Sequence, residues 1–278
     1  MPMPLRYLFG PVTAHFADQN LREARASGAC LTFNDVGDTD LRVGPGDRWE
    51  DVAARCPAGW QPDCVALNLA YTTVPEGLWS APAPLIGLAG DWNLLFHHYR
   101  RCLARSDLVL TDSQGVEVLS RDGVAHARQA NILGCERAYL ETEWPDGPRD
   151  IDVLFVGNLN HAVQRERMPW VARLAALGDR WRVVIETGVF GADYRALLAR
   201  SRVVFNRSIR GERDPCAFES AAAGRCSSTK PATARFRLSS RIGASTFVTP
   251  TTTWKSCWDT TWNTRTSAGP LPWRRSGG

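Results

Sequence analysis

Short apolar runs that alternate with amphipathic helical patterns are the feature that most constrains how this chain can fold. The helical pattern from Trp92 to Arg105, for example, repeats Leu95, Tyr99 and Leu103 on one face. Such alternation predicts βαβ units on a mostly parallel sheet, with helices on both faces. The predicted strands of the first half are Leu5 to Gly10, Ala29 to Asn34, Cys64 to Leu69, Pro84 to Ala89 and Leu108 to Thr111.

A second alternating series begins after residues 143–150, a linker rich in proline, glycine and acids. We therefore expect an α/β protein with two Rossmann-like domains, residues 1–142 and 150–224, and a ligand cleft between them. The predicted elements of the second domain are strands from Asp152 to Val156, Arg182 to Glu186 and Val203 to Asn206, and helices from Arg165 to Leu177, Ala192 to Arg200 and Cys216 to Ala223.

The first predicted strand of the second domain ends in Gly157 and Asn158. A glycine here permits either a close approach of the backbone to a ligand or a left-handed turn, although an ordinary strand-to-helix turn also accounts for it. The segment lacks both the dinucleotide and the Walker phosphate motifs. Arg165 and Arg167, expected on the following helix, would reach a diphosphate only if they face the cleft.

The stronger cluster follows the strand that ends at Asn206. Its loop carries Arg207 and Arg210, and the helix after it begins at an Asp-Pro pair that suits the N-cap and the first helical position. The free N–H groups at such a helix start favour an anion. Glu219, in the second turn, is either a ribose-binding carboxylate or a solvated helix residue.

In the first domain, Asp91 is delivered by a predicted strand to the start of a helix. A carboxylate at this position is either an N-cap or a general base. The residue type by itself favours the cap.

These residues, taken as a series, resemble bacterial glycosyltransferases of the spore-maturation CgeB-like group. The resemblance covers roughly residues 5–224 and rests on runs that begin at Asp91, Leu108, Asn131, Val156 and Asn206, with the alanine-rich helix that ends at Gly224. It implies a GT-B fold whose second domain binds a nucleotide-diphosphate sugar, with Glu219 on the ribose and the helix near Cys216 on the diphosphate. It also implies no cofactor and no metal. Members commonly carry an arginine at the position of Cys216, so Arg207 or Arg210 would have to replace that cation.

The last 54 residues are a different kind of sequence. They hold nine basic residues and one acid, Asp259, for a net charge of +8, whereas the first 224 residues carry 24 basic and 28 acidic residues, a net of −4. Four tryptophans lie among the 19 serines and threonines, without periodicity, so we expect a largely irregular tail over residues 225–278. One interpretation is a nucleic-acid-binding arm.

A frameshift near residue 225 explains the tail better. Reading from the third base of the Arg225 codon allows Leu-Leu-Phe-Tyr-Gln-Ala-Gly-Asn-Arg-Glu, which is the strand and loop that the family pattern continues with. On this hypothesis the second domain is truncated after Gly224, and the strand from Val203 to Asn206 is left with an unpaired edge.

Hydropathy and the cysteine spacing exclude several classes of protein. No apolar run approaches the roughly 20 residues of a membrane-spanning helix, and the N-terminus lacks the pattern of a secretory signal, so we expect a cytoplasmic protein. The eight cysteines show no metal-ligand spacing and are expected as reduced thiols.

The sequence therefore predicts a glycosyltransferase that takes a nucleotide-sugar donor and an unidentified acceptor, without specific nucleic-acid binding. Its predicted donor-site residues are Gly157, Asn158, Arg165, Asn206, Arg207, Arg210 and Glu219, with Asp91 as the candidate base. The alternative is a non-catalytic protein that binds a nucleotide sugar or a protein partner.

Overall fold

The computed structural model describes residues 5–13, 17, 20–132, 136–145, 147–207, 215–224, 226–228 and 247–248. The chain divides into two units. Unit 1 contains Met1–Thr142 with residues 212–215, and unit 2 contains the chain from Glu143 onward apart from those four residues. Each unit has its own parallel sheet.

Unit 1 is built on a seven-stranded sheet in which every neighbouring pair of strands is parallel. The strand order is β3-β2-β1-β4-β5-β6-β7. The strands are β1 (Tyr7–Gly10), β2 (Cys30–Asn34), β3 (Leu41–Arg42), β4 (Cys64–Asn68), β5 (Leu85–Leu88), β6 (Leu108–Thr111) and β7 (Ala127–Gln129), and the helices are α1 (Arg22–Ala26), α2 (Trp49–Arg55), α3 (Trp92–Cys102), α4 (Ser113–Arg121) and α5 (Arg137–Glu141).

Both faces of this sheet are buried, as a parallel sheet with helical crossovers requires. Successive residues of a strand point to opposite faces, so Leu8 and Val65 pack with Tyr99 of α3 in one cluster. Their neighbours Phe9 and Ala66 belong to a second, separate cluster. The prediction of a mostly parallel sheet with helices on both faces is therefore confirmed for unit 1.

In its described residues, unit 2 is built on a five-stranded parallel sheet with the order β12-β11-β10-β8-β9. Its core packs strand residues such as Phe155 and Phe205 against Val171 and Leu174 of the first helix. The elements are β8 (Ile151–Val156), α6 (Met168–Ala175), β9 (Val183–Glu186), α7 (Gly191–Arg200), β10 (Ser201–Phe205), α8 (Pro215–Ala222), β11 (Cys226–Ser228) and β12 (Phe247–Val248).

At the amino ends of the strands in this second sheet, one carboxylate pairs with two arginines. Asp150, just before β8, accepts from the guanidinium of Arg200 at 2.8 and 2.6 Å, and it also pairs with Arg182 at 2.8 Å. These two arginines come from the end of α7 and from the residue before β9. The pairing lowers the pKa of Asp150 to about 2, with the hydrogen bond from Arg200 as the largest cause.

The first helix of unit 2 begins three residues later than the sequence pattern predicts. The expected start was Arg165, whereas α6 begins at Met168 and carries Pro169 in its first turn. Proline lacks an N–H and clashes with the preceding turn, so it is accepted only at the start of a helix. Arg165 and Arg167 consequently lie in the turn before the helix and not on it.

The described part of the tail supplies two strands. β11 pairs with β10 in parallel register, with Val203 opposite Cys226 and Phe205 opposite Ser228, and β12 pairs with β11. The expectation that β10 has an unpaired edge is therefore wrong. Backbone N–H and C=O groups form the ladder whatever the side chains are, so the three small residues of β11 can pair along β10. The other tail residues lie outside the described part of the chain.

Candidate nucleotide site

The strand order of unit 2 reverses between β8 and β10. The chain first places β9 on one side of β8 and then returns to add β10 on the other side. Open parallel sheets bind ligands beyond the carboxyl ends of the strands at such a reversal. Two of the predicted site segments follow these two strands, since Gly157 and Asn158 come after β8 and Asn206 and Arg207 come after β10.

Gly157 lies close to two side chains, and its backbone angle does not demand a glycine. Its φ is outside the left-handed region in which other glycines of this chain lie. A Cβ atom at this position would come within 3.0 Å of Cζ of Phe155 and 3.4 Å of Nη1 of Arg167. The left-handed turn that the sequence offered for this glycine is therefore wrong, while the approach of a ligand to its backbone stays a prediction.

Arg167 connects the ends of the two strands. Its Nε donates to the carbonyl oxygen of Arg207 at 3.0 Å, and its guanidinium lies 5.8 Å from the ring centre of Phe155. The side chain therefore packs against the residues that end β8 while it holds the backbone that follows β10. The structure brings Gly157 and Arg207 together in this way.

Arg207 lies over an aromatic ring. Its guanidinium carbon is 4.1 Å from the ring centre of Trp170, in the first turn of α6. Its Nε is buried without a hydrogen-bond partner in the described part of the chain. Burial lowers the pKa of Arg207, and the carboxylate of Glu166 opposes this effect. An arginine held rigidly by stacking, with a donor atom unsatisfied, is suited to bind an anion.

The loop between β8 and α6 is shaped by asparagine turns. Oδ1 of Asn158 accepts from the backbone N–H of Asn160 at 2.8 Å, and Oδ1 of Asn160 accepts from that of Ala162 at 3.0 Å. Gln164 ends these turns and is only 7% exposed, yet its Oε1 has no hydrogen-bond partner in the described residues. Arg165, next in the chain, is exposed.

The two remaining described candidates, Asn206 and Glu219, are both buried, with 8% of each residue exposed. The interpretation of Glu219 as a solvated helix residue is therefore wrong. Glu219 lies in α8, where Oγ of Ser220 donates to the carbonyl oxygen of Cys216 at 2.6 Å. Arg210 lies outside the described residues.

Asp91, the candidate base of unit 1, occupies the position before α3. Its backbone is left-handed, with φ 48° and ψ 36°, and its side chain makes no capping hydrogen bond to the helix. The carboxylate is therefore not used as the cap that its position suggested. By contrast, Oδ1 of Asp112 caps α4 by accepting from Gly115 N–H at 2.7 Å.

Sequence reasoning did not select Trp170 or Gln164, and it considered Arg167 only as a helix residue. Pro169 was the available signal, because a proline in the first turn would have moved the helix start and placed Trp170 beside the loop. The stacking of Arg207 on Trp170 joins residues 37 positions apart in sequence, and no local pattern encodes it.

Within the described ranges, no group of three or more histidine, cysteine, aspartate or glutamate side chains is arranged to hold a metal ion. The same part of the chain contains no helix with the length and apolar character needed to cross a membrane.

Solved structures of low sequence identity share this fold. A glycosyltransferase from Rickettsia africae ESF-5 has a TM-score of 0.50 and 11% identity, over 81% of this chain and 79% of that one. An alpha-glucosyltransferase in complex with UDP and a 13-mer DNA has a TM-score of 0.51 and 9% identity, over 82% and 80%. The chain is an α/β protein with two Rossmann-like sheets and the GT-B fold of glycosyltransferases. The sequence matches no protein-family model and no curated protein.

Proposed function

We propose that this chain is a glycosyltransferase that transfers a sugar from a nucleotide-diphosphate donor to an acceptor hydroxyl, and that it belongs to the CgeB-like group. The GT-B fold supports the proposal at the level of architecture. The resemblance of the motifs between Asp91 and Gly224 supports the narrower family.

The observation that carries the proposal is the placement of Arg207. It follows the strand at which the sheet order reverses, it is stacked on Trp170, and its buried Nε lacks a partner within the described residues. Arg207 replaces, in this proposal, the cation that the family pattern expects at Cys216. Its charge stabilises the diphosphate as it leaves, and such donors contribute about 3 to 4 kcal/mol in other transition states.

The remaining donor-site residues are assigned from their positions at or near the carboxyl ends of β8 and β10. In this proposal the backbone at Gly157 passes close to the phosphates, on the side away from Phe155 and Arg167, whose side chains already fill the space beside it. Asn158, Asn206 and Arg165 provide polar contacts, and buried Glu219 accepts from the ribose hydroxyls. Arg210 is assigned on the sequence alone as a second cation.

The proposed reaction is a single displacement. The acceptor oxygen forms a bond to the anomeric carbon while the bond from that carbon to the diphosphate oxygen breaks. The electron pair leaves with the nucleoside diphosphate, and the carboxylate of Asp91 takes the proton of the acceptor hydroxyl. The product then has the opposite configuration at the anomeric carbon.

Donor hydrolysis tests the proposal without knowledge of the acceptor. The purified chain is incubated with UDP-glucose and with GDP-mannose, and release of the nucleoside diphosphate is measured. We expect turnover of at least one donor and its loss in Asp91→Asn. A chain that neither binds UDP or GDP in calorimetry nor hydrolyses a donor would contradict the proposal.

Cys216 favours one alternative function. A cysteine at the start of α8 provides no cation for the leaving group, which would suit a protein that binds nucleotide sugars without turning them over. This alternative predicts nucleotide binding in calorimetry with no release of diphosphate from either donor.

We further infer that residues beyond Gly224 are translated out of frame. The support is the recovered strand-and-loop sequence and the abrupt change of charge at residue 225. Resequencing the gene across codon 225 decides this, and an unchanged reading frame would return the basic tail to consideration as a nucleic-acid-binding arm.

A further inference from the structure

Tyr71 and Asp91 occupy equivalent positions at the carboxyl edge of the sheet in unit 1. The neighbouring parallel strands β4 and β5 place Asn68 opposite Leu88. Tyr71 lies three residues after Asn68, and Asp91 lies three residues after Leu88. The two residues therefore leave the sheet side by side.

Both residues have a left-handed backbone. Tyr71 has φ 57° and Asp91 has φ 48°, and within the described part of the chain every other residue with positive φ is a glycine. Aspartate tolerates this conformation, whereas a bulky tyrosine rarely adopts it. Strained residues of this kind collect at functional sites, where the surrounding structure holds a side chain in a required place.

The two side chains interact. The hydroxyl of Tyr71 lies within the influence of the carboxylate of Asp91, although 66% of the tyrosine is exposed. Partial burial of the phenol, the charge of Asp91 and hydrogen bonding to it together raise the pKa of Tyr71 to about 12. The buried Tyr99 donates its hydroxyl to the carbonyl oxygen of Gly90, the residue before Asp91.

We propose that Tyr71 is a positioning residue that holds the carboxylate of Asp91 toward the acceptor hydroxyl. This inference rests on the proposed function, because it needs Asp91 to accept the proton. The carboxylate is available for this role since it does not cap α3. If Tyr71 had only a structural role, its replacement would change the stability of the protein and leave the reaction at Asp91 unchanged.

The first test compares Tyr71→Phe with Tyr7→Phe. Tyr7 lies at the amino end of β1 in the same sheet, and its hydroxyl interacts with Cys30, its register partner on β2, so the control removes a comparable contact at the opposite ends of the strands. We expect Tyr71→Phe to lower kcat for donor hydrolysis about tenfold or more, with KM for the donor unchanged. Tyr7→Phe should leave both constants within twofold. Equal kcat in Tyr71→Phe and the wild type would overturn the proposal.

The second test does not depend on activity. Phenolate absorbance is followed between pH 9 and 12 in the wild type, Asp91→Asn and the double variant Asp91→Asn with Tyr71→Phe. We expect one tyrosine to ionise at lower pH in Asp91→Asn, and this component to disappear in the double variant. An unchanged titration in Asp91→Asn would show that the pair does not form, and the positioning role would be wrong.

The two tests separate this inference from the function it rests on. If the wild type hydrolyses no donor, the proposed function fails and the positioning role fails with it, whatever the titration shows. If the wild type is active and the titration shifts but kcat is unchanged in Tyr71→Phe, the proposed function stands and only the role of Tyr71 is overturned.

Discussion

Replacement of Arg207 by methionine should separate binding from stability. Methionine has a similar length and can still contact the ring of Trp170, which Arg207 covers at 4.1 Å, but it carries neither the charge nor the buried Nε. In the proposed site the guanidinium binds phosphate oxygens through charge-assisted hydrogen bonds. Arg207→Met should therefore weaken nucleotide binding while the unit remains folded.

The magnitudes come from the contacts of Arg207. Loss of the stacking interaction costs about 0.5 to 2 kcal/mol. Removal of a buried donor that has no partner in the described residues gains about 1 to 3 kcal/mol. These effects oppose each other, so the free energy of unfolding should stay within about 1 kcal/mol of the wild type or increase. Loss of a hydrogen bond to a charged phosphate costs about 1.5 to 3 kcal/mol, which corresponds to a dissociation constant about 10- to 150-fold higher.

Titration calorimetry with UDP and GDP measures the affinity, and urea denaturation measures the stability. Arg173→Met is the matched control, since Arg173 stacks on the same ring at 4.9 Å but is exposed on α6. The control should leave the dissociation constant unchanged. An unchanged affinity in Arg207→Met, or a loss of more than about 3 kcal/mol of stability, would refute this account of the site.

Three further predictions follow from the same structure. Glu219→Ala should weaken UDP or GDP binding at least tenfold in calorimetry, because a carboxylate bonded to ribose contributes about 1.5 to 3 kcal/mol; an unchanged constant removes Glu219 from the site. Cys216→Arg should raise the rate of donor hydrolysis and have less effect on the melting temperature, since the added charge acts in the transition state. If neither the rate nor the nucleotide affinity differs from the wild type, the position does not face the diphosphate. Asp150→Asn should flatten the fall in melting temperature between pH 5 and 2.5. The pKa of Asp150 is held at about 2, below the usual value of about 3.9, so its ion pairs with Arg200 and Arg182 stabilise the unit above pH 4 and are lost as the pH falls toward 2.

The central strands could be predicted from the sequence, because a strand that is buried on both faces is a continuous run of apolar residues. The strand from Leu108 to Thr111 was predicted with its observed bounds, and those around Val65 and Val153 were within one residue. Elements with a weaker pattern were missed. β3 has two residues and β7 has three, and such short edge strands are specified by pairing with their neighbours rather than by their own side chains.

The candidate site was only partly predictable, for a related reason. The ends of the strands can be located in the sequence, and their positions indicated Gly157, Arg207 and Asp91 as candidate site residues. The contacts that give these residues a role come from distant segments, such as Trp170 beneath Arg207 and Tyr71 beside Asp91. Burial of Glu219 likewise depends on the surrounding unit, and its position in the second turn of α8 did not reveal it.

The position of β1 has a consequence for how unit 1 is made. β1 comes before every other described strand, yet it lies between β2 and β4 in the sheet. Loss of the segment through Gly10, by use of a later start codon or by proteolysis, would therefore divide the sheet into a two-stranded and a four-stranded part instead of trimming its edge. During synthesis, β1 must also wait for β4, more than 50 residues later, before it gains its second neighbour. Such distant pairing slows folding, so a newly made chain exposes one side of β1 until β4 has left the ribosome.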